Sequence, residues 1–367
     1  MIISENTFNK AIIYSDSIDP ASEGIIKALC GNHAFAGSKI RIMPDVHAGK
    51  GCVIGTAMTV TEKVPPSLIG VDIGCGISVT KLCGKRIDAV KLDKLIREKI
   101  PFGMRKRSSA HRFADMISLG DLACAKHIQA DKALLGIGTL GGGNHFIEID
   151  KGEDGALWLI IHSGSRHLGA EIASYYQNEA YKRLGGSVPY ELAYAEGELL
   201  TDYLHDMDIA LSYASLNRRS MADEIMRGMK WDADFSFECP HNYIDTEQGI
   251  LRKGAVSAKL GEDVIIPLNM RDGCLICKGK GNPEWNFSAP HGAGRTMSRS
   301  EAKSSFTLSQ YKKEMKGIYS TSVSRETIDE SPMAYKPMED IISKISPTVE
   351  ITEIILPVYN FKAGEND

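Results

Sequence analysis

The stretch Ala156-Leu-Trp-Leu-Ile-Ile-His-Ser-Gly-Ser-Arg166 marks the point where the sequence changes from strand-like to helical patterns. Its apolar run Ala156–Ile161 predicts a strand. His162 closes that strand and enters a loop of small residues, which is the kind of position where functional sites are built. From about residue 168 to residue 230 the apolar spacing is helical, with one break at Gly185-Gly-Ser-Val-Pro189.

The segments on either side of this transition are mainly strand-like. Before it, Lys39–Met43 and Cys52–Val60 predict strands and Ala89–Lys99 predicts a helix. After it, strand-like runs return at Asp263–Pro267 and Glu353–Tyr359. Because strands and helices are segregated and do not alternate strictly, the pattern favours an α+β fold over a doubly wound parallel sheet. We expect one large domain over residues 1–367 with a long helical middle segment.

The composition is that of an ordinary globular protein. The 367 residues include 43 Lys+Arg and 47 Asp+Glu, for a net charge of −4, and 43% are hydrophobic. These values exclude a disordered chain, a coiled coil and a collagen-like repeat. No apolar run approaches the roughly 20 residues that cross a bilayer, and the first residues carry no secretory signal. We therefore expect a cytoplasmic protein without membrane contact. The acidic total excludes an evenly basic nucleic-acid coat but allows a local phosphate-binding groove.

One glycine-rich motif suggests a dinucleotide site and fails the context test. Gly136-Ile-Gly-Thr-Leu-Gly141 matches the G-x-G-x-x-G pattern, which requires a helix directly after it. The residues that follow, 142–149, instead predict a loop that enters a strand. We therefore set the Rossmann interpretation aside.

Five of the ten histidines lie in unusual surroundings. Each has Gly, Asn, Ser or Asp beside it and lies off any apolar helical stripe; they are His47, His145, His162, His241 and His291. Any one alone would be interpreted as a hydrogen-bonded structural histidine. Together with Asp72 and Cys75 in Val71-Asp-Ile-Gly-Cys-Gly76, they offer oxygen, nitrogen and sulfur ligands for a borderline divalent ion. On ligand types alone zinc would be named first, with structural histidines as the open alternative.

His291 has a second feature. His291-Gly-Ala-Gly-Arg295 precedes Ser298-Arg-Ser-Glu301, a capping box that predicts the start of a helix. A glycine-rich turn before a helix, with a nearby arginine, attracts phosphate. A neutral histidine facing a phosphoryl group can act as a nucleophile or as an acid or base, so His291 is a candidate for chemistry as well as for ligation.

Six segments, taken together and in order, closely resemble the RtcB family of RNA-splicing ligases. They are Pro44–His47, Gly70–Gly76, Gly141–Glu148, His162–Arg166, His241-Asn242 and His291–Arg299. The resemblance implies mixed or antiparallel sheets around a central metal pocket. It implies ligation of an RNA 2′,3′-cyclic phosphate or 3′-phosphate end to a 5′-hydroxyl end, with GTP and Mn²⁺. An archease-like helper assists some relatives, and the resemblance leaves open whether one assists this chain.

The resemblance further implies roles for individual residues. One Mn²⁺ would be held by Asp72, Cys75 and His145, and a second by Cys75, His162 and His241. His291 would form a covalent histidine–GMP, and Asp45 and His47 would lie beside the RNA ends. Arg166 and Arg295 would contact RNA or phosphate.

The implied GTP site is larger. Its positions are Asn144, His145, Phe146, Ile147, Glu148, His241, Asn242, Pro267, Leu268, Asn269, Met270, Cys274, His291, Gly292, Ala293, Gly294, Tyr335 and Lys362. Tyr335 would stack on guanine and Lys362 would contact the base. Two features depart from the family pattern: Pro267-Leu-Asn-Met-Arg-Asp272 replaces Pro-Gly-Ser-Met-Gly-Thr, and five residues follow Lys362.

Three other interpretations compete with a ligase. A dinuclear-metal phosphohydrolase or cyclic phosphodiesterase could use the same ligands without guanylylation and would need no nucleophilic histidine. An RNA-binding protein with a residual site would tolerate loss of ligands, yet every expected ligand is present. A redox protein could use Cys274-Leu-Ile-Cys277, which is the one pair with chelating or redox spacing among the eight cysteines. Because no second pair accompanies it, a structural zinc site built on cysteines alone is not expected.

Overall fold

Three sheets flanked by helices make up the computed structural model, which describes residues 1–84 and 86–364. The strands are β1 (Ile2–Glu5), β2 (Lys10–Ile13), β3 (Ile40–His47), β4 (Ile54–Thr59), β5 (Gly76–Leu82), β6 (Phe146–Lys151), β7 (Leu157–Ser163), β8 (Ala233–Pro240), β9 (Asn242–Asp245), β10 (Ile250–Lys253), β11 (Ala255–Ser257), β12 (Asp263–Asn269), β13 (Gly273–Gly279), β14 (Ser288–Pro290) and β15 (Val349–Lys362). The α-helices are α1 (Pro20–Cys30), α2 (Pro66–Ile69), α3 (Ala89–Lys99), α4 (Ala130–Leu134), α5 (Arg166–Arg183), α6 (Glu198–Met229), α7 (Arg299–Ser305), α8 (Leu308–Glu314) and α9 (Met338–Ile345).

The largest sheet has seven antiparallel strands in the order β12-β13-β15-β6-β7-β5-β8. A six-stranded sheet, β1-β2-β3-β4-β10-β9, is mixed because β2 and β3 run parallel. The strands β11 and β14 form a small antiparallel pair. The predicted α+β class, with mixed and antiparallel sheets, is confirmed.

The predicted elements have local causes. The helix at Ala89–Lys99 is α3, and it begins where the Asp88 side chain accepts a hydrogen bond from the Lys91 N–H at 3.0 Å. The long helical middle segment is α5 and α6, separated by a turn-rich connection at residues 184–197. Leu157–Ser163 is buried along its whole length, as expected for a strand covered on both faces.

Alternation along β6 and β7 decides which side chains reach the site. Ile147 and Ile161 point to one face of the seven-stranded sheet, where α3 and α6 cover them in an apolar core. The opposite face carries Phe146, Glu148 and His162, because successive side chains of a strand point to opposite faces. The site is built on this second face.

The described residues form a single domain that mixes helices and sheets. Residues 85 and 365–367 lie outside them, so the predicted extent of 1–367 stays a prediction. Within residues 1–84 and 86–364, no helix is both long and apolar enough to span a membrane.

Candidate active site

Five side chains from four parts of the chain converge on one buried point. Asp72 and Cys75 come from the loop before β5, His145 precedes β6, His162 lies in β7 and His241 links β8 to β9. The Cys75 Sγ lies 3.5 Å from the His145 Nε2 and 3.2 Å from the His162 Nε2. The His162 and His241 Nε2 atoms are 3.4 Å apart. They form two triads that share Cys75, and the ligand atoms within each triad lie within 4.8 Å of one another.

Backbone carbonyls orient two of these imidazoles. The His145 Nδ1–H donates to the Leu140 carbonyl at 2.9 Å, and the His162 Nδ1–H donates to the Asn144 carbonyl at 3.2 Å. Since a carbonyl can only accept, each ring presents its Nε2 lone pair to Cys75. Such hydrogen bonds at the outer nitrogen are typical of metal-binding histidines.

The protonation states also suit a cation. Burial lowers the pKa of His162 and of His241, so both rings stay neutral and keep a lone pair for ligation. Burial and the Asp72 carboxylate raise the pKa of the Cys75 thiol, so a bound cation would be needed to draw off its proton. The donor set of one carboxylate, one thiol and three imidazoles fits two divalent ions that share Cys75.

The glycine-rich segment 136–143 makes room for two arginines, of which Arg166 lies beside this cluster. A Cβ at Gly141 would lie 2.0 Å from an Arg166 guanidinium nitrogen, and one at Gly138 would lie 2.8 Å from the Arg107 Nε. No helix follows; the chain enters β6 at Phe146, as predicted. Arg166 thus lies against the metal cluster, with its Nη1 3.2 Å from the His145 Nδ1. Its predicted contact with RNA or phosphate stays a prediction.

His291 is held by a fully buried carboxylate. It lies in the loop after β14, and the Asp45 Oδ2 accepts hydrogen bonds from its Nδ1–H at 2.6 Å and its backbone N–H at 3.2 Å. The Nε2 lone pair is therefore free, and the ring centroid lies 4.8 Å from that of His241. Gly294 allows this approach: its φ is +75°, and a Cβ there would lie 2.3 Å from the Asp45 carbonyl oxygen.

Asp45 and His47 were expected beside the RNA ends, and this stays a prediction for both. The Asp45 carboxylate lies behind His291 with no exposed surface and orients the ring. His47 lines the cavity next to this site, and its Nδ1–H donates to the Asp45 carbonyl at 3.0 Å. Burial lowers the pKa of His47.

A cavity of about 1050 Å³ opens beside the metal cluster. The predicted GTP positions that line it are Asn144, Phe146, Glu148, Pro267, Leu268, Asn269, Met270, His291, Gly292, Ala293, Gly294, Tyr335 and Lys362. Other predicted positions lie outside its lining: His145 and His241 are in the triads, and Asn242 donates to the Asp72 carbonyl. Cys274 lies behind Glu148, with its Sγ 3.9 Å from the Glu148 Oε1. Strand alternation turns the Ile147 side chain into the core on the opposite face, away from the cavity. Its predicted place in the GTP site stays a prediction.

The far end of the cavity is organised by a carboxylate that the sequence analysis missed. Glu330 accepts a hydrogen bond from the Tyr335 hydroxyl at 2.7 Å and pairs with Lys362 and Arg299. Burial opposes ionisation of Glu330, but Lys362 and Arg299 outweigh it and hold the pKa of that carboxyl well below its ordinary value. Glu330 lies in a polar stretch without a motif, so no local signal marked it. Lys362 is an ordered residue at the end of β15, although it lies close to the chain end.

The predicted capping box at the start of α7 is present, and the Glu301 Oε2 accepts the Ser298 N–H at 2.8 Å. The phosphate site expected at this turn stays a prediction. Arg295 donates to the Asp329 carbonyl at 2.6 Å and lies 3.5 Å from Glu330. Its predicted contact with RNA or phosphate stays a prediction.

The linked triads and the adjoining cavity fit a metal-dependent enzyme. The chain matches the family model described as tRNA-splicing ligase RtcB over residues 31–128 and 114–363. It is 32% identical over 360 residues to the RNA-splicing ligase RtcB of Escherichia coli (strain K12), which covers 86% of this chain and 88% of that protein. It is also 27% identical to the tRNA-splicing ligase RtcB of Aeropyrum pernix (86% of this chain, 85% of that protein) and 28% identical to the RNA-splicing ligase RtcB of Mycobacterium bovis (82% and 90%). The chain belongs to the RtcB family.

Proposed function

We propose that this protein is a GTP- and Mn²⁺-dependent RNA ligase that joins a 3′-phosphate or 2′,3′-cyclic phosphate end to a 5′-hydroxyl end. Family membership supports an RNA ligase. The observation that carries the proposal is the pairing of His291 with buried Asp45, which leaves the His291 Nε2 lone pair beside the second triad. A hydrolase with the same ligands needs no such oriented nucleophile.

The chemistry proceeds through three displacements. The His291 Nε2 attacks the α-phosphorus of GTP, a P–N bond forms and pyrophosphate leaves, while the Nδ1–H stays donated to Asp45. An oxygen of the RNA 3′-phosphate then attacks that phosphorus and breaks the P–N bond, which returns the neutral imidazole. The 5′-hydroxyl finally attacks the activated 3′-phosphate, loses its proton to solvent and displaces GMP. A cyclic end must first be opened by water, since it has no free phosphate monoester.

The two triads serve this chemistry by holding cations. Mn²⁺ bound there would neutralise phosphate charge and align the groups for in-line displacement. The Asp45 carboxylate stabilises positive charge on the His291 ring as the P–N bond forms, so it lowers the barrier to the first step.

The other end of the cavity supplies recognition of the base. Tyr335 stacks on guanine, and Lys362 has ammonium protons beyond the one it gives to Glu330. An ionised Glu148 carboxylate accepts from the adjacent N–H donors of guanine, whereas adenine lacks that pair of donors. These three residues line the cavity and favour GTP over ATP.

Labelling with α-labelled GTP and Mn²⁺ tests the proposal. We expect label on wild-type protein in an acid-labile, base-stable linkage, as a phosphoramidate requires, and none on His291→Ala. The same variant should keep its bound Mn²⁺, because His291 lies outside both triads. Label on His291→Ala would contradict the mechanism, and phosphate release from RNA ends without any labelling would favour the hydrolase.

A further inference from the structure

A pair of buried carboxyls lies just behind the cavity wall. Glu148 and Asp150 are two residues apart on β6, so they point to the same face of the sheet. Glu148 lines the cavity, whereas Asp150 lies outside the lining and has no exposed surface. With Cys274 from β13 they bring one thiol and two carboxyl oxygens within 4.8 Å of one another.

Two carboxyls this close in a buried site cannot both be ionised, so the pair retains a proton. The surroundings decide which residue keeps it. Glu148 accepts a hydrogen bond from the Asn360 amide and faces the Lys362 ammonium, and both favour its charged form. Among the residues that the structure describes, the acids and the thiol of this cluster are the only hydrogen-bonding partners near the two Asp150 oxygens. Asp150 is therefore the neutral acid of the pair.

The titration behaviour agrees with this assignment. Burial and the neighbouring Glu148 raise the pKa of Asp150 well above its ordinary range. Burial raises the pKa of Glu148 to about 7, against the opposing effect of Asn360.

A proton suits this cluster better than a metal cation. The Lys362 ammonium beside Glu148 would repel a cation, and this cluster contains no imidazole. The amide of Asn360 already occupies one lone pair of Glu148. A single shared proton satisfies both acids without a further ligand.

We propose that Asp150 is a positioning residue for the nucleobase: it keeps one proton, donates it to Glu148 and so holds the Glu148 carboxylate ionised, with its remaining lone pairs toward the cavity. The inference rests on the proposed GTP binding, in which Glu148 accepts the N–H donors of guanine. A protonated Glu148 would oppose those donors with one of its own. Asp150 thereby sets the pH range and the strength of guanine recognition without touching the base.

Two substitutions of Asp150 distinguish a role as hydrogen-bond donor to Glu148 from a role in packing alone. Asp150→Asn keeps an N–H donor toward Glu148, whereas Asp150→Leu keeps volume and removes the donor. The probes are α,β-methylene-GTP and its adenosine counterpart, which cannot transfer a nucleotide. Their binding is measured with Mn²⁺ present, over two pH units centred on the Glu148 pKa. Because guanine needs ionised Glu148, wild-type affinity for the guanosine probe should rise as the pH rises through about 7.

The expected outcomes differ for the two variants. Asp150→Asn should bind the guanosine probe within about twofold of wild type and with the same pH profile. Asp150→Leu should bind it about tenfold more weakly at neutral pH. Its rise in affinity should shift to higher pH, because Glu148 has lost a donor that favours the charged form. The adenosine probe is the control, and its affinity should be unchanged in both variants.

Other results would overturn the inference. Asp150→Asn as weak as Asp150→Leu would mean that Asp150 acts as an anion, and a loss of bound metal in both variants would place a cation in the cluster. An unchanged pH profile in Asp150→Leu would remove Asp150 from base recognition. Infrared spectra of the nucleotide-free protein test the proton directly at a pH well above the Glu148 pKa, where Glu148 is ionised, since the remaining protonated carboxyl band should disappear in Asp150→Asn. If that band is present but wild type binds no guanosine probe, the proposed GTP site fails while the proton assignment stands.

Discussion

The two ends of the active site handle buried polar groups in opposite ways. At the metal end, the Asp72 carboxylate, the Cys75 thiol and three imidazoles converge, and the ligand atoms of Cys75 and the imidazoles face one another. At the base end, the Glu330 carboxylate is ionised and balanced by Lys362 and Arg299. The metal end therefore needs a cation to be stable, whereas the base end balances its own charges before any ligand arrives. Substitutions at the two ends should consequently affect different measurements.

Loss of the shared thiol should have the largest effect. Cys75→Ala removes a ligand from both triads. Loss of a residue that only hydrogen-bonds to a metal ligand already lowers metal affinity by up to about 100-fold, so we expect Cys75→Ala to lower it by more than that. Metal analysis of the purified protein measures it. Cys277→Ala is the matched control, since Cys277 is equally buried but outside both triads, and it should keep its metal and lose about 1 kcal/mol of stability at most. Two Mn²⁺ retained by Cys75→Ala would show that the ligands are misassigned.

Asp45→Asn should be next in size. The amide keeps the shape of the side chain but not the charge that holds the His291 Nδ1–H, so the nucleophile loses its orientation and its stabilised cationic form. We expect single-turnover guanylylation to slow by about 10²-fold or more. Bound Mn²⁺ should be unchanged, which separates this effect from that of Cys75→Ala. A wild-type labelling rate would mean that Asp45 has no part in the chemistry.

Tyr335 separates stacking from hydrogen bonding at the base end. Stacking on a base is worth roughly 1–3 kcal/mol, so Tyr335→Ala should weaken binding of the guanosine probe by about one to two orders of magnitude. Tyr335→Phe keeps the ring and loses the hydrogen bond to Glu330, for a cost of about 1 kcal/mol. Calorimetric titration measures both. Equal losses in the two variants would place the hydroxyl, and not the ring, at the base.

The smallest effect should come from the exposed basic stretch beside the glycine-rich segment. Gly103 donates its N–H to the Gly141 carbonyl at 2.9 Å, so the exposed Arg105 lies near the rim of the site. Arg105→Glu should reduce the salt-dependence slope of single-stranded RNA binding by about 0.7 for each RNA phosphate that Arg105 neutralises in the wild-type protein. Lys182→Glu is the control, because it lies about 24 Å from Arg166 along α5. Equal slopes in both variants would remove Arg105 from the RNA path.

How much of the metal end and of the base end could be predicted depends on whether their residues lie in recognisable sequence segments. The metal-end residues come from short segments with unusual composition, such as Asp72 to Cys75, so all five were among the candidates that inspection of the sequence produced. The family resemblance separated them from His47 and His291, and the structure brings the five together. At the base end, Tyr335 and Lys362 came from the family resemblance, but Glu330 and Asn360 have no motif around them. The burial of the Asp45 side chain behind His291 was also missed, because it depends on the packing of the loop after β14 against β3.

The sequence by itself determined the α+β class, the bounds of α3, the loop that enters β6 and the types of ligand available, because these depend on local periodicity, capping and side-chain chemistry. The tertiary structure decided the rest. β15 lies between β13 and β6, and its register puts Asn360 opposite Glu148 and Lys362 opposite Phe146. That strand pairing decides which donors reach Glu148, whereas the orientation of His291 follows from the packing of the loop after β14 against β3. Pairing is set by hydrogen bonds between residues far apart in the chain, and no local pattern encodes them.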